Sequence, residues 1–207
     1  MEKHRVRSKS ETKRKSILAA ASQCFCDNGF AASSMDAIAK AAGVSKQTVY
    51  SHFGNKDELF LEVIKQKCQE FQDAVLPTIS RDKVEPALTH FSCQFVRLLL
   101  SDEGMSGHRL CIAESQTNPT VSQLFFSAGP KRVIEVLMQL LQHFVDLEQL
   151  VIGDIRSAAL QLLCMVKGEA VMRREYNTEQ QVSEVAMDRY IADSVALFIR
   201  GYRPQQS

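Results

Sequence analysis

The 207-residue sequence contains no run of about 18 uncharged apolar residues, the length that a helix needs to cross a bilayer. Its first segment also lacks an apolar stretch followed by a cleavage site, so we expect no secretory leader. These two absences predict a cytoplasmic protein that does not enter membranes. With 45% apolar and 24% charged residues, the chain can bury a sizeable core in one or two domains.

The sequence also lacks the motifs of common enzymes. It has no nucleophile elbow, no phosphate-binding loop and no cluster of metal ligands, so we expect neither catalysis nor a cofactor. The cysteines have no paired spacing of the zinc type: Cys24, Cys26, Cys68, Cys93, Cys111 and Cys164. In a reducing compartment such cysteines are expected to be small buried side chains.

Acidic residues are scarce in the first quarter of the chain. Residues 1–56 carry ten Lys or Arg and four Asp or Glu, a net charge of +6. Because the whole chain has a net charge of +1, the remaining residues sum to −5. A basic end on a mildly acidic body favours capture of a polyanion by that end.

Strand-like alternation is absent, and apolar residues recur at helical spacing. This pattern predicts an all-α protein with helices over about 12–27, 35–42, 45–53, 56–76, 85–100, 109–116, 120–144, 154–174 and 178–200. Residues 1–12 are basic and aperiodic, and are expected to form a mobile arm. Gly104 and Gly107 are expected to break the chain before residue 109. A kink is expected at Gly129-Pro130, because proline removes a backbone donor.

The segment Ala42–Leu59 combines a tight turn with a short amphipathic helix. Gly43 suits the left-handed corner of a helix–helix turn, and Ser45 can cap the helix that follows. Val44, Val49 and Phe53 are expected to point inward. The outer arc is then polar: Lys46, Gln47, Thr48, Ser51 and His52, with Tyr50 near its edge. No carboxylate occurs from Gly43 to Lys56, and a face without carboxylates is suited to lie on phosphates.

This segment resembles the DNA-binding domain of the TetR family of bacterial regulators. The family string G-V-S-x-x-x-x-Y-x-H-F corresponds to residues 43–53, followed by Lys56. The resemblance extends back through Ile17-Leu18-Ala19-Ala20-Ala21, Phe25 and Asn28-Gly29-Phe30. It implies a dimeric regulator of transcription, most often a repressor.

The resemblance also implies a domain organisation. An N-terminal three-helix DNA-binding domain with a helix-turn-helix is joined by a long helix to an all-helical C-terminal regulatory and dimerisation domain. We accordingly expect a basic arm over residues 1–12, a DNA-binding domain over 13–58, and an effector-binding and dimerisation domain over 59–207. The arm is expected to enter the minor groove or, alternatively, to be only a solubilising tail.

Eight residues are candidates for DNA contact. Lys46 and Gln47 lie at the exposed start of the helix over residues 45–53, which we call the reading helix. At this position Lys can donate to guanine and Gln can pair with adenine. Ser45 begins that helix as its cap. The resemblance implies that the remaining candidates hold phosphates: Ser34, Thr48, Tyr50, His52 and Lys56. Ser34 can also cap the preceding helix, whose free amides suit a phosphate.

The region from Asn118-Pro119 through Gly129-Pro130 to Lys167-Gly168 resembles the AefR-like C-terminal domain of TetR regulators. That resemblance implies that the last two helices pair with those of a second subunit in a four-helix bundle. Apolar residues at helical spacing allow such pairing: Ile155, Ala158, Ala159, Leu162, Leu163, Val166, Val182, Val185, Ala186, Ile191, Val195 and Phe198. The alternative is a purely intramolecular core. A two-fold dimer would require a palindromic operator with reading helices about 34–36 Å apart.

The candidates for binding a small hydrophobic effector are Phe91, Phe95, Leu99, His108, Arg109, Cys111, Phe125 and Cys164. An alternative signal is thiol oxidation at Cys93, Cys111 or Cys164, with His108 or Arg109 lowering the pKa of a neighbouring Cys111. The predicted function is a repressor that an effector or an oxidant releases from operator DNA. The alternative function is a DNA-bound adaptor that recruits a protein partner without any effector.

Overall fold

The computed structural model describes residues 2–77, 79–116, 119–178 and 180–204. Over these ranges the regular secondary structure is α-helical throughout, which confirms the predicted fold class. The helices are α1 (Glu2–Ala32), α2 (Met35–Ala41), α3 (Lys46–Phe53), α4 (Lys56–Val75), α5 (Val84–Leu100), α6 (Asp102–Glu114), α7 (Pro119–Ala128), α8 (Pro130–Asp146), α9 (Ile155–Glu175) and α10 (Glu184–Tyr202). Among the described residues, no helix is both long and apolar enough to cross a bilayer.

Helix α1 begins at Glu2, ahead of the predicted start at residue 12. The predicted start of this helix is therefore wrong, whereas the mobile arm stays a prediction. Met1 lies outside the described residues. Residues 2–12 lack apolar periodicity, but they contain no Gly or Pro and are rich in the helix formers Lys, Arg and Glu. The predicted end of this helix at about residue 27 lies close to Gly29, which has non-helical values of φ 74° and ψ 172° within α1.

Helix α6 begins at Asp102, so the prediction that Gly104 and Gly107 break the chain is wrong. Asp102 and Glu103 place negative charge in the first turn, where the helix dipole favours it. Phe125 packs closely against Gly107, since a Cβ added at this position would lie only 3.1 Å from Cε2 of Phe125. The glycines therefore lie inside a helix.

Helix α10 also departs from its predicted bounds, since it begins at Glu184 and not near residue 178. Ser183 caps it by accepting a hydrogen bond from the Ala186 amide at 3.3 Å. The predicted interruption at Gly129-Pro130 separates two helices, α7 and α8, and Pro130 is the first residue of α8. Asn118, where the resemblance to the AefR-like domain begins, lies outside the described residues.

The chain forms two compact units. Unit 1 comprises Met1–Lys67 and Asp102–Ala128, so it is larger than the predicted 13–58 domain. Its core contains Ile17, Leu18, Ala21, Phe25, Phe30, Met35, Ile38, Ala39, Val49, Phe53, Leu59, Phe60, Val63 and Val121. Phe60 packs edge to face against Phe25 and Phe30, with centroids 5.3 Å apart in both pairs.

Unit 2 comprises Cys68–Ser101 and Gly129–Ser207. Its core contains most of the residues predicted to pair two subunits: Ala158, Ala159, Leu162, Leu163, Val166, Ile191, Val195 and Phe198. The pairing prediction is wrong for these residues, because side chains buried within one subunit have no surface left for another. Helical spacing shows that a face is apolar, but it does not show what covers that face.

Candidate nucleic-acid interface

A tight turn centred on Gly43 joins α2 to α3. Gly43 has φ 65°, in the left-handed region predicted for this corner. The Val44 amide donates to the Ala39 carbonyl at 3.0 Å, which closes the end of α2. At the other end of α2, Ser34 accepts a hydrogen bond from the Ala37 amide at 3.1 Å. Both ends of α2 are therefore fixed by local hydrogen bonds.

Helix α3 has a buried face and a polar face. The Ser45 hydroxyl accepts a hydrogen bond from the Thr48 amide at 3.2 Å, which confirms the predicted cap. Val49 and Phe53 are 0% and 5% exposed, which confirms that they point inward. The polar side carries exposed Lys46, Gln47, Tyr50 and Ser51, with half-buried Thr48 and His52. This face presents hydrogen-bond donors and no carboxylate of its own.

An acidic residue of α2 lies against this face. The Lys46 ammonium is 2.8 Å from Oδ1 of Asp36 and 3.0 Å from Oδ2. It also lies 5.9 Å from the centroid of the Tyr50 ring. The hydrogen bond and the charge of Asp36 raise the pKa of Lys46. Sequence reasoning missed Asp36, because the pair forms through the packing of α2 against α3; the available signal was its place in the exposed first turn of α2.

Lys56 is engaged within unit 1. Its Nζ donates to the carbonyl oxygens of Phe30 at 2.8 Å and Ser33 at 3.1 Å, and it lies 3.5 Å from that of Ala31. The ammonium also lies 4.3 Å from the centroid of the Phe30 ring. A lysine ammonium has three donors, and these carbonyls take up all three. The phosphate contact predicted for Lys56 stays a prediction, and its observed partners are those of a residue that holds the α1–α2 turn.

Helix α1 packs behind α3. The Arg14 guanidinium lies 5.4 Å from the centroid of the Phe53 ring and forms an ion pair with Glu62 of α4. Glu62 also accepts a hydrogen bond from Lys65 at 2.8 Å. Lys65 first, and Arg14 after it, lower the pKa of the Glu62 carboxyl. These contacts tie the buried side of α3 to its neighbours.

The residues predicted to bind an effector are divided between the units. His108, Arg109, Cys111 and Phe125 belong to unit 1, whereas Phe91, Phe95, Leu99 and Cys164 belong to unit 2. Within unit 2, Phe91 and Phe95 are core residues. A surface depression of about 550 Å³ in unit 2 is lined by other residues: Lys83, Val84, Glu85, Pro86, Thr89, Gln149 and Ala192. The effector site therefore stays a prediction.

Burial makes Cys111 and Cys93 less suited to the predicted sensing of oxidants, because it raises the pKa of a thiol. It raises the pKa of Cys111 to about 12, opposite to the lowering predicted from His108 or Arg109. Burial first, and the charge of Asp188 next, raise the pKa of Cys93. Cys164 is exposed on α9. Among the described residues, no group of His, Cys, Asp and Glu is arranged to hold a metal ion.

Two regions of the chain match families of known proteins. Residues 17–63 match the bacterial regulatory proteins of the tetR family, and residues 86–204 match the C-terminal domain of AefR-like transcriptional repressors. The second match alone covers more than half of the chain. The chain belongs to the TetR family. Both resemblances are thereby confirmed, and the protein is a helix-turn-helix, DNA-binding regulator of transcription.

TetR-family relatives share the fold over most of the chain. A regulator from Mesorhizobium loti superposes with a TM-score of 0.83 at 26% identity, covering 94% of this chain and 98% of that one. The flavonoid-responsive regulator FrrA superposes with a TM-score of 0.74 at 31% identity, with the same coverage. UidR from Escherichia coli is 31% identical over 124 residues, or 58% of this chain and 60% of UidR. The chain spans less than two thirds of the length of UidR and of several other curated relatives that it matches.

Proposed function

We propose that this TetR-family protein is a dimeric repressor that binds a palindromic operator through α3 and leaves it when a small hydrophobic effector binds. The supporting observation is the construction of α3. Ser45 caps the helix, Val49 and Phe53 anchor it, and exposed donors occupy its other side. In helix-turn-helix proteins the amino-terminal residues of such a helix contact base edges in the major groove.

Lys46 and Gln47 are the candidates for base recognition, since they are exposed in the first turn of α3. Lys donates to guanine O6 and N7, and Gln pairs with adenine N6 and N7. Phosphate contacts position the protein without reading sequence. We assign them to Ser34, Thr48, Tyr50 and His52. Ser45 and Lys56 are assigned to holding α3 and the α1–α2 turn in place.

Dimerisation is assigned to the exposed apolar surface of α9 and α10. Tyr190 donates to the Met165 carbonyl at 2.9 Å, and Tyr202 donates to Oε1 of Gln161, so the two helices are joined at two points. Leu197 lies between these tyrosines on α10 and is 55% exposed. These two helices also expose Leu160, Met172, Val185 and Tyr190. A group of exposed apolar side chains supports pairing with a second copy.

A hydrophobic effector is favoured over an oxidant. FrrA, which is 31% identical to this chain, is named as flavonoid-responsive, and flavonoids are flat, largely apolar molecules. The candidate contacts for such a ligand are Phe91, Phe95 and Leu99 of α5. Because Phe91 and Phe95 lie in the core of unit 2, a ligand that reaches them must open that core. The ligand acts only through its different affinities for the DNA-bound and the free shape, a coupling of about 1–3 kcal/mol.

Selection of binding sites from random duplexes tests the assignment of α3. The wild-type protein should enrich a palindrome. Lys46→Ala and Gln47→Ala should each flatten the preference at particular base pairs, whereas Lys40→Ala, which removes a charge from α2, should keep the same preferred sequence. Enrichment profiles unchanged by the Lys46 and Gln47 substitutions would contradict the assignment.

A ligand screen tests the effector. Flavonoids and other hydrophobic compounds that raise the melting temperature should also release the selected duplex. Stabilisation without release would contradict effector control, and no stabilisation by any compound would favour the effector-independent adaptor.

A further inference from the structure

The ion pair between Asp36 and Lys46 joins α2 to α3 at the surface assigned to DNA. We infer that Asp36 competes with DNA for the Lys46 ammonium and thereby limits the affinity of this protein for every duplex. The inference rests on the proposed contact between Lys46 and DNA. It adds Asp36 as a residue that sets binding strength without itself reading a base.

The geometry allows the pair to open. Both carboxylate oxygens lie within hydrogen-bond distance of Nζ, at 2.8 and 3.0 Å. The Lys46 and Asp36 side chains are 58% and 63% exposed, so water and salt reach the pair. An exposed pair of this kind changes an equilibrium by up to about fivefold. Asp36 therefore holds Lys46 in the free protein but does not lock it.

DNA binding changes the partner of Lys46. A phosphate or a guanine edge competes with the carboxylate for the ammonium, because the two Asp36 oxygens engage up to two of its three donors. The Asp36 carboxylate then loses its counter-charge next to a polyanion, which adds repulsion. Both consequences reduce affinity wherever Lys46 contacts DNA. Since that contact is to a base edge or to a phosphate, they act on selected and on random sequences.

Asp36 also has a structural role to be separated from this one. It lies in the first turn of α2, where a negative charge stabilises the helix. A purely structural role would lower the melting temperature of Asp36 variants, and its effect on DNA binding would not depend on Lys46. The dependence on Lys46 is therefore the diagnostic measurement.

A double-mutant cycle provides the test. Asp36→Asn, Lys46→Met and the double variant are compared on a duplex selected by the wild-type protein and on a random duplex, by fluorescence anisotropy over a series of KCl concentrations. Asp36→Asn should bind both duplexes about two- to fivefold more tightly, with a steeper salt dependence. In the Lys46→Met background this gain should fall by at least half.

Matched variants control for charge and for folding. Asp27→Asn removes the same charge from exposed α1, where Asp27 accepts a hydrogen bond from Gln23, and should change affinity less than Asp36→Asn. Asp36→Glu keeps the charge and should bind like the wild type. Asp36→Ser is a second neutral variant, used for the cycle if Asp36→Asn lowers the melting temperature.

The outcomes separate the inference from the proposed function. If Lys46→Met weakens neither duplex, the DNA contact of Lys46 is wrong and the inference fails with it. If Lys46→Met weakens binding but the neutral Asp36 variants bind no more tightly than Asp27→Asn, only the inference is overturned. A gain that persists undiminished without Lys46 would also overturn it, because Asp36 would then act by repulsion alone.

Discussion

The ammonium of Lys56 donates to the carbonyl of Phe30, in the last turn of α1, and to that of Ser33, just after α1, and it lies over the Phe30 ring. The Phe30 carbonyl also accepts from the Ser33 amide at 3.3 Å, and the helix dipole makes this end of α1 negative. Ser34, which caps α2, follows directly after Ser33. A residue on α4 therefore holds the turn from which α2 begins. The TetR-family position of Lys56 is compatible with a phosphate contact, but its donors already have acceptors.

Lys56→Met should lower the free energy of unfolding by about 1–3 kcal/mol, because it removes charged hydrogen bonds to the partly buried carbonyls of Phe30 and Ser33. Urea unfolding followed by circular dichroism measures this change. Lys65→Met is the matched control on the same helix, since Lys65 pairs with half-exposed Glu62, and it should cost less than about 1 kcal/mol. Wild-type stability of Lys56→Met together with weaker binding to all duplexes would instead support a phosphate contact.

The two thiols Cys111 and Cys164 should differ in reactivity. With a pKa of about 12, roughly one Cys111 side chain in ten thousand is a thiolate at pH 8. Alkylation of Cys111 in the folded protein should therefore be negligible at pH 8 and rise about tenfold per pH unit. Exposed Cys164 should be labelled first.

Mass spectrometry after brief treatment of the native protein with iodoacetamide measures this order of labelling. Cys164→Ser should remove the fast phase. Labelling of Cys111 at pH 8 as fast as that of Cys164 would mean that the Cys111 thiol is not protected by burial.

At the scale of the helix, local signals determine most of what the sequence predicts correctly. Ser45 caps α3, Gly43 forms the preceding corner, and Pro130 begins α8, each because of its own backbone chemistry. The sequence did not predict features that depend on a residue far along the chain. Asp36 reaches Lys46 only when α2 packs on α3. Gly107 lies inside α6 because Phe125 packs closely against it.

Helix α9 contains a break that local signals did not reveal. Gly168 has φ 53° and ψ −161°, and a Cβ there would lie 2.4 Å from Cε1 of Tyr190. Gly168→Ala should therefore lower the free energy of unfolding by about 1–3 kcal/mol through backbone strain and the clash. Gly153→Ala is the control, because a Cβ added at this position would meet no atom within 4 Å. Its free energy of unfolding should stay within about 0.5 kcal/mol of that of the wild type.

Thermal and urea unfolding of both alanine variants measure the difference. Adding Tyr190→Ala to Gly168→Ala should relieve the clash but not the strain at φ 53°, so part of the loss should remain. Equal stability of the Gly168 and Gly153 variants would show that α9 does not need the break.

At the scale of the whole molecule, the proposed recognition of a palindrome requires two copies of α3. A single helix-turn-helix contacts too few base pairs to select one site in a genome, whereas a two-fold dimer doubles the contacts and fixes their spacing. The sequence indicated the apolar faces of α9 and α10, but most of that surface covers the core of unit 2. What remains for a partner is the outer side, where Leu160, Met172, Tyr176, Val185, Tyr190 and Leu197 are exposed.

Leu197→Glu should therefore convert the dimer to monomers, because it places a charge at an apolar contact without disturbing the core. Sedimentation velocity measures the mass, and circular dichroism should show an unchanged helical content. Ile112→Glu is the control, since Ile112 is 62% exposed and belongs to unit 1, whereas α9 and α10 belong to unit 2. The monomer should lose preference for the selected palindrome over a random duplex, since only one half-site is then engaged at a time.

Two outcomes would contradict this prediction. A Leu197→Glu protein that stays dimeric would place the subunit contact elsewhere on the molecule. A Leu197→Glu protein that is monomeric yet still selective would show that a single α3 is sufficient.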